Sequence, residues 1–239
     1  MSASSERRAL ITGASSGIGK ATALAFAQAG IHVGLLSRSQ EKLEAVVQEA
    51  AKAGVKAKAY PIDLAEIDHV KAKMQAIAAD FGPIDILVNN AGMGYTKNLV
   101  DTPLSDWQKV IDLNLTSVFQ CIQGVLPQMR DRHRGTIINV ISIAGQQVFP
   151  GWGPYCVSKF GLMALSKTLA AEERTYGIRT SAICPGAVNT PIWDTVDADF
   201  DRSAMLNPET VAQTILVAAL LPEQAAIEEL TLMPSAGTF

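Results

Sequence analysis

Three cysteines, three histidines and no long apolar run set the first limits on this chain of 239 residues. Cys121, Cys156 and Cys184 lie far apart and form no Cys-x-x-Cys pair. A disulfide framework is therefore not expected, and buried, reduced thiols in a cytoplasmic protein are. His32, His69 and His133 lack ligand spacing and read as solvated or locally hydrogen-bonded side chains, so no metal is expected. Basic charge is also scarce: 20 Lys and Arg face 23 Asp and Glu, scattered along the chain, for a net charge of -3. That balance argues against a nucleic-acid partner. Apolar runs such as Ala9–Ile11 and Ile215–Leu221 are too short to span a bilayer, and Met1–Arg8 offers no signal-peptide core, so no membrane partner is expected. What the chain does have is 48% hydrophobic and only 18% charged residues, the composition of a large buried core.

Short β-type runs alternate with longer helical patterns. Strands are expected over Arg8–Thr12, Ile31–Ser37, Val55–Pro61, Ile84–Asn89, Gly135–Ile141, Ile178–Ile183 and Glu229–Met233. Helices are expected over Gly17–Ala29, Ser39–Ala53, Leu64–Phe81, Pro103–Met129 (interrupted near its centre), Tyr155–Tyr176 and Pro208–Leu221. The strands are apolar on both faces, as in a parallel sheet covered by helices on each side. Right-handed crossovers then give one doubly wound, Rossmann-like α/β sheet. No linker, repeat or low-complexity segment divides it, so residues 1–239 read as one domain.

The first strand runs into Thr12-Gly13-Ala14-Ser15-Ser16-Gly17-Ile18-Gly19. Glycines here let backbone approach a ligand, and the following helix opens with free N–H groups suited to a pyrophosphate. Read alone, the stretch is equally an ordinary strand-to-helix turn. Its place at the head of a βαβ series favours dinucleotide binding. The end of the second strand faces the adenosine ribose in such a fold, and an acidic residue there would repel a 2′-phosphate. This chain has Ser37-Arg38-Ser39 instead. Arg38 supplies a permanent, planar donor set for phosphate, so NADP(H) is favoured over NAD(H).

Tyr155 and Lys159 stand four residues apart on an expected helix and so share a face. A tyrosine near its ordinary pKa of about 10 is a poor acid-base group, and a neighbouring ammonium would favour the phenolate. Taken alone the pair is weak, because a ring packed under a solvated amine has the same spacing.

The ordered set of motifs resembles the short-chain dehydrogenase/reductase family from Arg8 to about Met233. It comprises the Thr12–Gly19 loop, Asp63-Leu64, Asn89-Asn90-Ala91-Gly92, Asn114, Ser142, Tyr155-Cys156-Val157-Ser158-Lys159, and Pro185-Gly186 with Thr190. The resemblance implies a catalytic set of Asn114, Ser142, Tyr155 and Lys159. It implies cofactor contacts from Gly13, Ser15, Ser16, Gly17, Ile18 and Gly19, then Ser37 and Arg38, then Asp63 and Leu64 at the adenine. Asn90, Ala91 and Gly92 would line a ribose, Lys159 would bond the nicotinamide ribose beside Tyr155, and Pro185, Gly186, Val188 and Thr190 would hold the carboxamide. Asp63 reads equally as a helix N-cap. The resemblance further implies a homodimer or homotetramer paired through Ser105–Met129 and Tyr155–Tyr176.

Substrate choice is expected in Ile143–Pro154, with Gln147, Phe149 and Trp152, and in a lid over 191–207, with Trp193, Phe200 and Met205. Apolar side chains there suit a partly hydrophobic carbonyl or alcohol. The ending Glu229-Leu230-Thr231-Leu232-Met233-Pro234-Ser235 and Ile141 both depart from 3-oxoacyl-carrier-protein reductases. The ending is more similar to relatives acting on 3-hydroxy acids or other small carbonyls. A 3-oxoacyl thioester, a 3-hydroxy acid and another small alcohol thus remain open as substrates. A catalytically silent NADP(H)-binding regulator is the alternative of another class. An intact Ser142, Tyr155 and Lys159 speaks against it.

Overall fold

The computed structural model describes residues 6–196 and 201–237. Seven parallel strands form one sheet: β1 (Arg8–Thr12), β2 (His32–Ser37), β3 (Ala57–Pro61), β4 (Ile86–Asn89), β5 (Gly135–Val140), β6 (Ile178–Pro185) and β7 (Glu229–Leu232). Their spatial order is β3-β2-β1-β4-β5-β6-β7. The order reverses between β1 and β4, so the C-terminal ends of these two strands flank the crevice where such sheets bind ligands.

Alternate residues of each strand feed two cores. Leu10, Leu36, Leu87 and Ile137 point to one face, where α3 (Ile67–Phe81), α5 (Ser117–Asp131) and α6 (Gly153–Glu173) contribute Met74, Val118 and Leu162. Ile11, Leu35, Val88 and Ile138 point to the other, against Phe26 of α1 (Gly17–Gln28), Leu43 of α2 (Gln40–Ala51) and Ile215 of α7 (Pro208–Leu220). This double burial explains why the central strands read as continuous apolar runs rather than as alternating ones. The edge strand β3 is only partly buried, and its Lys58 pairs outward with Asp80 at 2.7 Å.

Two boundaries differ from expectation in informative ways. The helix expected from Leu64 begins at Ile67. Asp63 Oδ1 accepts a bond from Ala65 N at 2.9 Å, closing a turn of its own rather than capping α3. The interruption expected inside 103–129 is a π-helical turn, Asp112–Thr116, between α4 (Leu104–Ile111) and α5. No helix among the described residues is long and apolar enough to cross a membrane.

Candidate active site

The glycine loop is shaped by its neighbours as much as by itself. Gly13 has φ +65°, and a Cβ built on Gly19 would lie 2.3 Å from the Gly13 oxygen and 2.6 Å from Asn90 Nδ2. Asn90 Nδ2 donates to the Thr12 and Gly13 carbonyls at 2.9 and 3.3 Å. Thr12 Oγ1 in turn accepts from Asn90 N and Ala91 N at 2.9 and 3.0 Å. Thr12 is buried and was not among the expected site residues, yet it ties the β1 and β4 ends together. Ser16 occupies the N-cap of α1 without making a side-chain cap, and the first turn holds no acidic residue. An uncapped helix N-terminus above a cradle that admits no side chain fits a diphosphate. Thr190 crowds the same turn: its Cγ2 would sit 3.0 Å from a Cβ at Gly17.

At the end of β2, Arg38 is exposed, while the Ser37 hydroxyl is buried without a hydrogen-bond partner among the described residues. A guanidinium facing solvent beside an unsatisfied hydroxyl fits a phosphorylated ribose. Leu64 is buried in the core, so any ligand contact from it is through backbone. Val188 is buried too, and its carbonyl accepts from Trp193 Nε1 at 2.8 Å. The Gly186 amide is taken by the Leu232 carbonyl at 2.8 Å, which anchors the Pro185-Gly186 turn to β7.

Asn114, Ser142, Tyr155 and Lys159 converge at the ends of β4 and β5 and the start of α6. Asn114 is fully buried in the π-helical turn. Its Oδ1 accepts from Met93 N at 2.8 Å, and its Nδ2 donates to Met93 O and Ser158 Oγ at 2.9 and 3.1 Å. Ser158 Oγ donates to the Tyr155 carbonyl at 2.7 Å. Three bonds of about 1 kcal/mol each fix this amide and stitch the loop after β4 to α6. The widened π turn changes which backbone carbonyls find helical partners, a feature common at functional sites. A Cβ at Gly92 would lie 3.2 Å from Asn114 Oδ1 and 3.7 Å from Lys159 Nζ, so all three share one small volume.

Ser142 has φ 146° and ψ 161°, a region that glycine alone adopts freely. Holding a serine there costs on the order of 1–3 kcal/mol. Its Oγ accepts from Ala144 N at 3.1 Å, and its hydroxyl lies near enough to Tyr155 to favour the phenolate. Lys159 is buried, with Nζ donating to the Val140 carbonyl at 3.1 Å and lying 5.6 Å from the Tyr155 ring centre. The expected one-face geometry is therefore present. The expected electrostatic balance is not: burial pushes Tyr155 up to about 12, with Ser142 opposing the rise. Burial likewise pushes Lys159 down to about 8. Desolvation is the largest cause for both groups. Tyr155 is thus held as a phenol, and Lys159 keeps its charge only below about 8.

The substrate side is lined by side chains. Trp152 meets Tyr155 edge-on at 5.5 Å between ring centres and Trp193 at 5.9 Å. Phe149, with Val148, Cys156 and Phe160, lines a cavity of about 530 Å3 whose lining does not include Ser142, Tyr155 or Lys159. Gln147 is exposed, Met205 is buried, and Phe200 lies outside the described residues. Among the described residues no His, Cys, Asp and Glu side chains gather as a metal site.

Buried polar residues given no role in the expected site complete the frame. Asn89 Nδ2 donates to Asn139 Oδ1 at 2.9 Å, and Asn139 Nδ2 donates to Ser166 Oγ at 2.8 Å, linking β4, β5 and α6 beneath the site. The available signal was an asparagine within each of two otherwise apolar strands.

A family profile described as short chain dehydrogenase matches residues 7–201. The 3-oxoacyl-(acyl-carrier-protein) reductase of Staphylococcus epidermidis is 39% identical over 194 residues, covering 81% of this chain and 80% of its own. The glycine betaine reductase of Emericella nidulans is 33% identical over 234 residues, 95% of this chain, which spans only 18% of that relative. An alcohol dehydrogenase of the archaeon Thermococcus sibiricus, solved in complex with 5-hydroxy-NADP, superposes with a TM-score of 0.89 at 28% identity, over 96% of this chain and 97% of its own.

Proposed function

The chain belongs to the short-chain dehydrogenase family and is an oxidoreductase that uses a nicotinamide cofactor; from that premise we propose that it exchanges a hydride between NADP(H) and a carbonyl or secondary-alcohol substrate, with Tyr155 as general acid and base. The observation that carries this reading is the convergence of Ser142, Tyr155 and Lys159, with Ser142 close enough to act on the Tyr155 phenol and Lys159 Nζ 5.6 Å from its ring.

Gly13, Ser15, Ser16, Gly17, Ile18 and Gly19 would hold the diphosphate, and Ser37 and Arg38 the phosphorylated ribose. Asp63 and the Leu64 backbone would meet the adenine. Asn90, Ala91, Gly92, Tyr155 and Lys159 would bind the nicotinamide half, with Pro185, Gly186, Val188 and Thr190 at its carboxamide. The bound nicotinamide supplies or accepts the hydride. In reduction, Ser142 donates a hydrogen bond to the substrate oxygen, where negative charge develops. Tyr155 donates its proton to that oxygen, and its raised pKa supports the acid role by keeping it protonated. The Lys159 ammonium favours the phenolate left behind. The backbone carbonyl of Asn114, within the π-helical turn, holds a water that relays the replacement proton to Lys159.

Exposed apolar side chains on α5 and α6, among them Phe119, Val157 and Phe160, support pairing of these helices in a homodimer or homotetramer. The three buried free thiols support a reducing, cytoplasmic setting. We read residues 1–239 as one catalytic domain with 191–207 as its lid.

A panel of ketones and 3-oxo esters, followed through NADPH absorbance, tests the activity. Tyr155→Phe should lower kcat by about 1,000-fold while the cofactor Kd stays within about twofold, since general acid catalysis contributes roughly 100- to 10,000-fold. Retained turnover in Tyr155→Phe rejects the assigned role.

A further inference from the structure

Ser142 stands in a backbone conformation that a side chain disfavours, so its surroundings must hold it there. Three bonds define the turn it opens. Ile141 N donates to Ile183 O at 2.8 Å, Gly145 N to Ser142 O at 3.0 Å and Ala144 N to Ser142 Oγ at 3.1 Å. The last two lie within Ser142 and the turn Ile143–Gly145, so they shape that turn without fixing where it sits.

Contacts on two sides fix its place. On the inner side, a Cβ at Gly145 would lie 2.8 Å from the Lys159 carbonyl oxygen and 2.6 Å from Ile141 Cγ2, so the turn rests directly on the α6 backbone. On the outer side, Gln146 is exposed and reaches the edge strand β7. Glu229 and Thr231 are two residues apart on that strand and share its exposed face, while Leu230 and Leu232 pack toward the core. Gln146 Nε2 donates to Glu229 Oε1 at 2.7 Å and to Thr231 Oγ1 at 2.9 Å, and its Oε1 accepts from Thr231 Oγ1 at 3.2 Å. Glu229 Oε2 pairs in turn with Lys167 Nζ of α6 at 2.9 Å. Lys167 lies two turns beyond Lys159, so the chain of contacts returns to the helix that carries Tyr155 and Lys159. The turn after Ser142 is held between α6 and β7, and β7 is itself tied to α6.

We propose that Gln146, held by Glu229 and Thr231, is a positioning residue that keeps the Ser142 hydroxyl in place beside Tyr155. The side chain of Gln146 bonds β7 and no member of the catalytic set among the described residues, so it acts through the turn backbone. The inference rests on the proposed function, in which Ser142 donates to the substrate oxygen as charge develops. A donor that acts in the transition state shows its misplacement in kcat rather than in KM.

The test is a double-mutant cycle with NADPH on the fastest substrate of the ketone and 3-oxo ester panel. Gln146→Ala should lower kcat about tenfold and leave KM and the NADPH Kd within about twofold, since small displacements of a reacting group cost up to about 100-fold. Ser142→Ala should lose about 100-fold. Adding Gln146→Ala to it should cost less than about twofold more, because the group being positioned is gone. Glu229→Gln keeps an oxygen acceptor for Gln146 and should retain kcat within about twofold, whereas Glu229→Ala should lose about fivefold. An unchanged kcat in Gln146→Ala, or the same fold loss with and without the Ser142 hydroxyl, overturns the inference and leaves the proposed function standing. Full turnover by Ser142→Ala, or none by the wild-type enzyme on any member of the panel, overturns both.

Discussion

The two halves of the crevice are built from different materials. On the cofactor side, position is set by main chain: Gly19 lies against the Gly13 carbonyl, and Thr12 and Asn90 hold loop backbone with four bonds. On the substrate side, position is set by the rings of Trp152 and Trp193, which meet edge to face at 5.9 Å. A backbone cradle admits almost no variation, because any added atom collides with main chain. A side-chain wall can be rebuilt one residue at a time. The first half is therefore the harder of the two to alter, and the second the easier.

The sharpest break in this comparison comes from one methyl group on the rigid side. Gly19→Ala places a Cβ 2.3 Å from backbone oxygen, so the loop itself must move. The NADPH Kd should rise by about 100-fold, and unfolding free energy should fall by roughly 2 kcal/mol, in the range of overpacked cores. Titration by fluorescence and thermal melting measure the two effects. Gly30→Ala is the control: its φ is +79°, but nothing lies within 4 Å of the added carbon. It should cost about 1 kcal/mol of stability and leave NADPH affinity intact. Equal losses of affinity in both variants would dissolve the distinction.

On the proposed reading Arg38 supplies the cation for the phosphorylated ribose, since Ala14-Ser15-Ser16 holds none. Charge-assisted bonds are worth about 1.5–3 kcal/mol, so Arg38→Asp should shift the NADPH-to-NADH ratio of kcat/KM by roughly 10- to 150-fold. An unchanged ratio would remove Arg38 from the cofactor half.

Where the halves meet, the proposed mechanism makes protonation set the rate. Lys159, held down at about 8, loses its charge as pH rises through that value, whereas Tyr155, held up at about 12, keeps its proton. Reduction needs both protons. The kcat/KM for reduction should be flat from roughly pH 6 to 7.5 and fall by about tenfold per unit well above 8. A profile level to pH 10 would show that Lys159 need not be charged.

Legibility followed the same division. The loop Thr12–Gly19, the ends of β4 and β6 and the pair Tyr155 and Lys159 could be read because backbone geometry fixes residue type at fixed spacing. The sheet was legible from apolar runs buried on both faces. Hidden in sequence were the contacts made across long separations: Thr12 with Asn90, Asn114 with Met93, and Trp152 with Trp193. Nothing local told Phe149 from Trp152, although three residues of turning chain set one ring in a cavity lining that omits Tyr155 and the other against Tyr155. The fall of Lys159 and rise of Tyr155 were equally invisible, because desolvation depends on what surrounds the pair and not on its spacing.

The smallest effect should come from the smallest change to the side-chain wall. Trp193→Phe retains an aromatic face toward Trp152 but loses the N–H that bonds Val188 O at 2.8 Å. A neutral bond of this kind is worth about 1 kcal/mol, or roughly fivefold in an equilibrium. Because the bond orients the wall and touches neither Ser142 nor Tyr155, its loss should appear in the KM of a carbonyl substrate and leave kcat within about twofold. NADPH affinity should not move, since Val188 is held separately by its bridge to Leu206. A large fall in kcat with unchanged KM would mean that the wall is wired to the proton chemistry, and the two halves would then be one rigid unit.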